Sequence, residues 1–151
     1  MAKKNNRFLT AKEEQEVIEA IRTAEKNTSG EIRVHIEQTA SVPPFERAME
    51  VFHHLKMDTT QLQNGVLIYV AVEDRNFVIY GDKGINEAVA DNFWDSTRDV
   101  MASHFKKGHF KQGLVAGILN AGTQLQHHFP WQENDKNELD DSISTGETLS
   151  I

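Results

Sequence analysis

Four side chains with oxygen donors lie at or near glycine-containing turns of the chain, and their types suit a hard metal ion. They are Glu31, Asn64, Asp82 and Asp91. The first three each stand next to a glycine, which lets the backbone approach a ligand closely, and the fourth follows one helical element later. Carboxylate and amide oxygens are the ligands that Ca²⁺ and Mg²⁺ prefer in proteins. The pattern therefore indicates a candidate divalent-cation site.

A purely structural role for the same residues stays open, because Gly, Asn and Asp are common in turns for local reasons. The sequence contains no EF-hand loop, Walker loop or dinucleotide-binding fingerprint, and residues 81–84 are too short for any of them. Lys83 is the single cation that the pattern places beside the candidate site. Metal binding and simple turn formation are both compatible with these residues.

Two pairs of adjacent histidines could also suggest a metal site, but their spacing does not favour one. Neighbouring residues on a helix point about 100° apart, so neither pair can readily hold one ion from one helix face. We expect all four side chains on helix surfaces. The pairs are His53–His54 and His127–His128.

The elements that must position the candidate site follow from hydrophobic periodicity. Apolar residues at helical spacing predict a helix from Thr10 to Lys26, with Thr10 and Glu13 forming a capping box. Strict alternation over 31–37 predicts a strand with one polar face, on which His35 is expected to be exposed to solvent. The other predicted elements are a helix at 45–55, strands at 66–72 and 77–80, and a helical region to about residue 128 that is interrupted at 107–108.

The order of these elements predicts an α/β fold, specifically a three-layer α/β/α sandwich built on a small mixed sheet. The first two strands are expected to run parallel, joined by the second helix through a right-handed crossover, and the third strand to return antiparallel. With that topology the start of the first strand, the start of the second and the end of the third meet at one end of the sheet. Three of the four candidate ligands are therefore expected to be neighbours.

Composition limits the function classes that remain. The chain has 151 residues, a formal net charge of −7 and no cysteine, which excludes disulfides, thiol nucleophiles and cysteine-bound metals. The acidic balance argues against a nucleic-acid partner. No signal-peptide core and no apolar run of membrane-spanning length occurs, so we expect a cytoplasmic protein without a membrane span.

The predicted organisation is one domain with two flanking segments. Residues 1–9 form an N-terminal extension, 10–130 the domain, and 131–151 an acidic tail that is expected to be disordered or loosely docked. Such a tail could contact a protein partner. The oligomeric state does not follow from the sequence.

Four blocks of the sequence, in order, resemble the TPM domain family, and the resemblance covers about residues 8–128. It implies a Rossmann-like α/β/α sandwich, as the periodicity does independently. It also implies an acidic cleft among the glycine turns, whose role maps by position onto the same four candidate ligands. The blocks are residues 28–34, 64–75, 79–85 and 105–114.

The resemblance leaves the activity open. Plant members of the family include a thylakoid-lumen protein described as an acid phosphatase and a photosystem II repair factor, and related bacterial domains bind divalent cations. The sequence lacks the signal peptide and the C-terminal membrane segment of many relatives, so an exported role is not expected. The leading hypothesis is a Ca²⁺- or Mg²⁺-binding accessory domain. The alternatives are a metal-assisted phosphatase acting on phosphate monoesters, for which the resemblance is the sole support, and an interaction module that uses the acidic tail.

Overall fold

The computed structural model describes residues 8–131 and 142–145. The first helix, α1 (Ala11–Glu25), begins as its sequence predicts. The Thr10 hydroxyl accepts a hydrogen bond from the Glu13 backbone at 3.1 Å, and the Glu13 carboxylate accepts one from the Thr10 backbone at 2.9 Å. This reciprocal cap satisfies backbone donors that the first turn of a helix leaves unpaired.

The sheet has four strands in the order β3-β2-β1-β4. Strands β1 and β2 are parallel, with Glu31 opposite Gly65, and β2 and β3 are antiparallel. These pairings are those that the sequence predicts. The strands are β1 (Glu31–Glu37), β2 (Gly65–Ala71), β3 (Asn76–Gly81) and β4 (Ser144–Thr145).

Helices cover both faces of this sheet, which confirms the three-layer fold. Alternate residues of β2 enter two separate cores, because successive side chains of a strand point to opposite faces. One core includes Leu67 and Tyr69 beneath α2 (Pro44–His54) and a short 3₁₀ helix (Met57–Thr59). The other includes Val66 and Ile68 beneath α1 and the C-terminal helices.

The C-terminal helical region is divided twice. The predicted interruption at 107–108 is confirmed, and Gly108 there adopts a positive φ of 79°. A second interruption at 89–94 separates two helices that the periodicity had joined. The three helices are α3 (Lys83–Ala88), α4 (Asp95–Lys106) and α5 (Phe110–Gln126).

Part of the predicted acidic tail belongs to the sheet. Ser144 and Thr145 form β4, which pairs in parallel with β1, and Ile143 packs against the larger core. The expectation of a disordered or loosely docked segment is therefore wrong for these residues, because backbone pairing and apolar contact hold them. The rest of the predicted tail, 132–141 and 146–151, and most of the predicted N-terminal extension, 1–7, lie outside the described residues.

No helix among residues 8–131 and 142–145 combines the length and the apolar character that crossing a bilayer requires.

Candidate functional site

The structure brings three of the four predicted ligands to one end of the sheet, which we call the acidic edge: Glu31, Asn64 and Asp82. The Glu31 backbone donates a hydrogen bond to the Asn64 carbonyl at 3.2 Å, and the Asp82 backbone donates one to the Gly65 carbonyl at 2.9 Å. These bonds tie the start of β1, the start of β2 and the residue after β3 together. The juxtaposition follows from the mixed topology of the sheet.

All three side chains of the acidic edge are buried. Glu31 is 3% exposed, Asn64 1% and Asp82 8%. Polar groups removed from water to this degree normally have a hydrogen-bonding or ionic partner, because leaving one unpaired costs free energy. Their partners therefore indicate which of them is available to a ligand.

Asp82 has an unsatisfied carboxylate oxygen. Its Oδ1 accepts a hydrogen bond from the Lys83 backbone at 2.7 Å, which caps the short helix α3. Its Oδ2 is buried and has no hydrogen-bond partner. Burial also raises the pKa of the neighbouring Tyr80 phenol, and the negative charge of Asp82 adds to that rise. Asp82 thus presents a buried oxygen that a cation could satisfy.

Asn64 contributes an amide to the same edge. Its backbone N–H donates to Thr60 Oγ1 at 3.3 Å, and its side-chain Nδ2 donates to Ser29 Oγ at 3.4 Å. This orientation commits the amide nitrogen to a protein partner and leaves the amide oxygen as the potential metal ligand.

Asp91 differs from the other three predicted ligands. It is exposed, in the turn between α3 and α4. That turn lies near the acidic edge, because the Phe93 ring is 5.6 Å from the His128 ring and the adjoining Phe129 carbonyl accepts a hydrogen bond from Ser29. No contact that the structure describes joins Asp91 itself to the acidic edge.

The described part of the chain contains no group of three or more His, Asp or Glu side chains arranged to hold a metal ion. The acidic edge supplies two carboxylates and one amide. A third carboxylate from the Asp91 turn would have to move toward it, or water would have to complete the coordination.

Arg33 is a residue near the acidic edge that the sequence analysis did not single out. It lies two positions after Glu31 in β1, on the same face of the sheet, and its Nε is buried without a hydrogen-bond partner. Lys83, the predicted cation of the site, is exposed. Strict alternation in β1 placed Arg33 beside Glu31, but only the structure shows that its Nε is unsatisfied.

A second polar cluster, the histidine network, lies toward the opposite end of β1. His35 Nε2 is 3.0 Å from Glu37 Oε1, and His35 Nδ1 is 2.9 Å from Ser144 Oγ. Glu37 also accepts two hydrogen bonds from Arg47, at 2.8 and 3.0 Å, and one from the Tyr69 hydroxyl. The network joins β1, α2, β2 and β4.

The expectation that His35 is exposed to solvent is wrong, since its exposed fraction is 0%. Tyr69 stacks beside it and β4 covers the strand edge. Burial lowers the pKa of His35, although its hydrogen bond to Glu37 acts in the opposite direction. The polar alternation of β1 correctly placed His35 on the polar face of the strand, but it did not predict that Tyr69 and β4 cover that face.

The ionisation of Glu37 is fixed by its donors. Burial by itself raises the pKa of this carboxyl, but the hydrogen bonds from Arg47, Tyr69 and His35 outweigh burial and lower it to about 2. The same contact with Glu37 raises the pKa of Arg47, while burial and Glu37 together raise that of Tyr69. Glu37 and Arg47 therefore form a permanent ion pair at neutral pH.

The chain of Ser144, His35 and Glu37 has the residue types of a hydrolase triad, but its setting does not allow that chemistry. Ser144 is 1% exposed, so a substrate cannot reach its hydroxyl. A nucleophilic serine needs an accessible oxygen and donors for an oxyanion. The histidine network instead fastens β4 to the sheet.

Only one of the two histidine pairs lies on a helix as predicted: His53 and His54 are in α2, whereas His127 and His128 follow the end of α5, so the expectation of a helix surface is wrong for them. His53, His54, His127 and His128 are all exposed, and His53 pairs with Asp58 at 3.2 Å on the surface.

The fold and the acidic edge define a small α/β/α sandwich domain with a mixed sheet and a polar, glycine-bordered sheet end. Comparison with known sequences gives the family. The chain belongs to the TPM domain family, whose sequence model matches residues 3–124. No curated protein matches it significantly.

Solved structures agree with this assignment. The BA42 protein from the psychrophilic bacterium Bizionia argentinensis, solved by NMR, is 62% identical, with a TM-score of 0.89 over 93% of this chain and 97% of that one. The N-terminal domain of a P. gingivalis protein is 17% identical, with a TM-score of 0.65 over 84% of this chain and 83% of that one. The N-terminal domain of the cg2496 protein from Corynebacterium glutamicum is 13% identical, with a TM-score of 0.56 over 89% and 79%. The last two show a shared fold.

Proposed function

We propose that this TPM domain binds one divalent cation, Ca²⁺ or Mg²⁺, at the acidic edge and acts as a binding or accessory module. The observation that carries the proposal is the buried, unpartnered Oδ2 of Asp82. Glu31 and the Asn64 amide lie at the same end of the sheet. Asp91 is the fourth ligand of the proposed site.

The energetic argument rests on the cost of an unsatisfied buried oxygen. A carboxylate removed from water without compensation loses hydration, and a cation or a hydrogen-bond donor restores that loss. The Asp82 Oδ1 already has a donor, whereas Oδ2 does not. Coordination of a cation by Oδ2 would satisfy it without breaking the cap of α3.

The proposed donor set suits hard cations. Both Ca²⁺ and Mg²⁺ are bound through oxygen, and Mg²⁺ commonly keeps several waters when few protein ligands are present. Two buried carboxylates with one amide match such a partly hydrated ion. Recruitment of Asp91 from its exposed turn would add the flexible third carboxylate that favours Ca²⁺.

The test is calorimetric and NMR titration of the metal-free protein with Ca²⁺ and Mg²⁺, using Asp82→Asn and Asp99→Asn as a matched pair. Asparagine retains an oxygen for the α3 cap but removes the charge, and Asp99 is an exposed aspartate of α4. We expect Asp82→Asn to weaken binding at least about tenfold, since changing even the outer-shell partners of a metal site costs about 10–100-fold in affinity, and Asp99→Asn to have no effect. Equal affinities of the two variants would contradict the proposal.

A metal-assisted phosphomonoesterase is the second candidate function, and Arg33 is the observation that favours it. A bound cation polarises a phosphoryl oxygen and activates water. The buried, unpartnered Nε of Arg33 lies on the same strand face as Glu31 and could bind a second phosphoryl oxygen. Hydrolysis of a phosphate monoester that is lost in both Asp82→Asn and Arg33→Gln would support this candidate, whereas hydrolysis that survives both changes would point to a contaminant.

A further inference from the structure

A cavity of about 770 Å³ lies at the end of β2 opposite the acidic edge. It opens between the β2–β3 hairpin and the junction of α4 with α5. Its volume is within the range of small-molecule sites, and open α/β sheets commonly bind ligands beyond the carboxyl ends of their strands. Its lining residues include Phe8, Val72, Arg75, Phe77, Phe105 and Lys106.

We call this space the phenylalanine cavity, because one of its walls is a row of four phenylalanine rings, each in contact with the next. The Phe77 and Phe105 rings are 5.2 Å apart, Phe105 and Phe110 are 5.9 Å apart, and Phe110 and Phe8 are 4.5 Å apart. The Phe110 side chain is nevertheless 37% exposed. The wall therefore offers an apolar surface that the described parts of the chain do not cover completely.

Cationic side chains are present at the same cavity. Arg75 and Lys106 both line it and are exposed, and within residues 8–131 and 142–145 neither forms an ion pair. Glu73 is the one acidic residue of the lining, so the lining carries a formal excess of one positive charge in a chain whose net charge is −7. The charge of the cavity is thus opposite to that of the molecule.

Arg75 provides a second, independent observation. It has a positive φ of 54°, a conformation that glycine adopts more readily than any residue with a Cβ. The hairpin would close with less strain if glycine stood there. The strained residue of this turn is therefore also the one whose guanidinium lines the cavity.

We propose that the phenylalanine cavity binds a small amphipathic anion, a carboxylate with an aromatic or alkyl body. The body packs against the phenylalanine wall, and the carboxylate binds Arg75 and Lys106. This site is independent of the proposed cation site, because the two lie at opposite ends of β2.

The direct test is an NMR titration of the full chain with phenylbutyrate, compared with phenylbutanol as the uncharged analogue. We expect saturable amide shifts confined to the β2–β3 hairpin and the α4–α5 junction. Phenylbutanol is expected to bind at least tenfold more weakly, since the anionic group accounts for the difference. Absence of saturable shifts, shifts centred elsewhere, or equal binding of the two compounds would each overturn the proposal.

Neighbouring residues provide a matched pair for the charge. Lys106→Gln removes a cation that lines the cavity, whereas Lys107→Gln removes an exposed cation that does not. We expect the first variant to weaken phenylbutyrate binding several-fold and the second to leave it unchanged. Equal effects of both variants would show that only the overall charge matters, which contradicts a specific site.

Arg75→Gly separates binding from folding. Glycine relieves the positive φ, so the melting temperature is expected to be equal to that of the parent or higher, while phenylbutyrate affinity falls several-fold. Unchanged affinity in a stably folded Arg75→Gly variant would exclude Arg75 as an anion ligand. The cation titration of the acidic edge is expected to be unaffected in this variant.

Discussion

Glu37 shows how a single partly buried charge can be held by several neighbours. Arg47 and Tyr69 both donate hydrogen bonds to its carboxylate, and His35 lies at hydrogen-bond distance. Removing one member of such a group leaves the others with unsatisfied or uncompensated polarity, which costs more than the net value of the original contact. Stability at this position therefore depends on keeping the whole set.

Glu37→Gln is expected to lower the free energy of unfolding by about 1–3 kcal/mol, because the partly buried Arg47 guanidinium loses its charged acceptor. Urea unfolding followed by circular dichroism measures the change. Glu50→Gln is the matched control, since Glu50 bonds the same arginine at 3.2 Å but on the surface, with its side chain 54% exposed. We expect about 0–1 kcal/mol for the control, and similar losses in the two variants would show that burial of Glu37 is unimportant.

The helices and strands that form the two cores follow from local sequence patterns. The packing of α5, however, requires its backbone to lie unusually close to the neighbouring helices. A Cβ added at Gly117 would lie 2.4 Å from Met101 Cγ, and one at Gly122 would lie 2.8 Å from the Ala24 Cβ. These glycines allow α4 and α1 to pack directly against α5. The small side chains lower the intrinsic helix propensity of α5 in return for that packing.

Gly117→Ala separates these two effects. In an open helical position the change would stabilise the helix by about 1 kcal/mol, whereas here overpacking against Met101 is expected to lower stability by about 1–3 kcal/mol. Thermal and urea unfolding measure the outcome, with Gln112→Ala on the exposed face of the same helix as the control. A more stable Gly117→Ala variant would show that α4 and α5 are packed less closely than described.

At the scale of the whole molecule, the histidine network links the pH of the solution to folding. Burial keeps the folded-state pKa of His35 below its ordinary value of 6.5, so the unfolded chain binds that proton more tightly. Glu37 has a folded-state pKa of about 2, against an ordinary value of 4.5. In both cases the unfolded state takes up protons first as the pH falls, which lowers stability.

We therefore expect two successive losses of stability on acidification. The His35 contribution is present above pH 6.5 and is lost as the pH falls from 6.5 toward the folded-state pKa. The Glu37 contribution is present above pH 4.5 and is lost between 4.5 and about 2. Urea unfolding across this range measures both, and His35→Gln is expected to remove the first loss and retain the second. A pH profile that His35→Gln leaves unaltered would contradict the assignment.

The sequence by itself determined α1, α2 and strands β1–β3, the three-layer fold and the meeting of Glu31, Asn64 and Asp82 at one end of the sheet. Those features follow from hydrophobic period, from turn residues and from the handedness of a parallel crossover, all of which act over short stretches of chain. The sequence also placed Arg33 and His35 on the polar face of β1. It did not determine which side chains and chain segments pack against that face.

Only the tertiary structure decided which of these polar groups are satisfied. The contact between His35 and Ser144 joins residues 109 positions apart, and no local sequence pattern predicts it. For the same reason the structure alone shows β4 in the sheet, Asp91 exposed in its own turn, the unpartnered oxygen of Asp82 and the cavity beside Arg75. Whether a polar side chain is buried, and which group it bonds to, depends on chain segments that are distant in sequence. Hydrophobic periodicity carries no information about how close those segments lie in space.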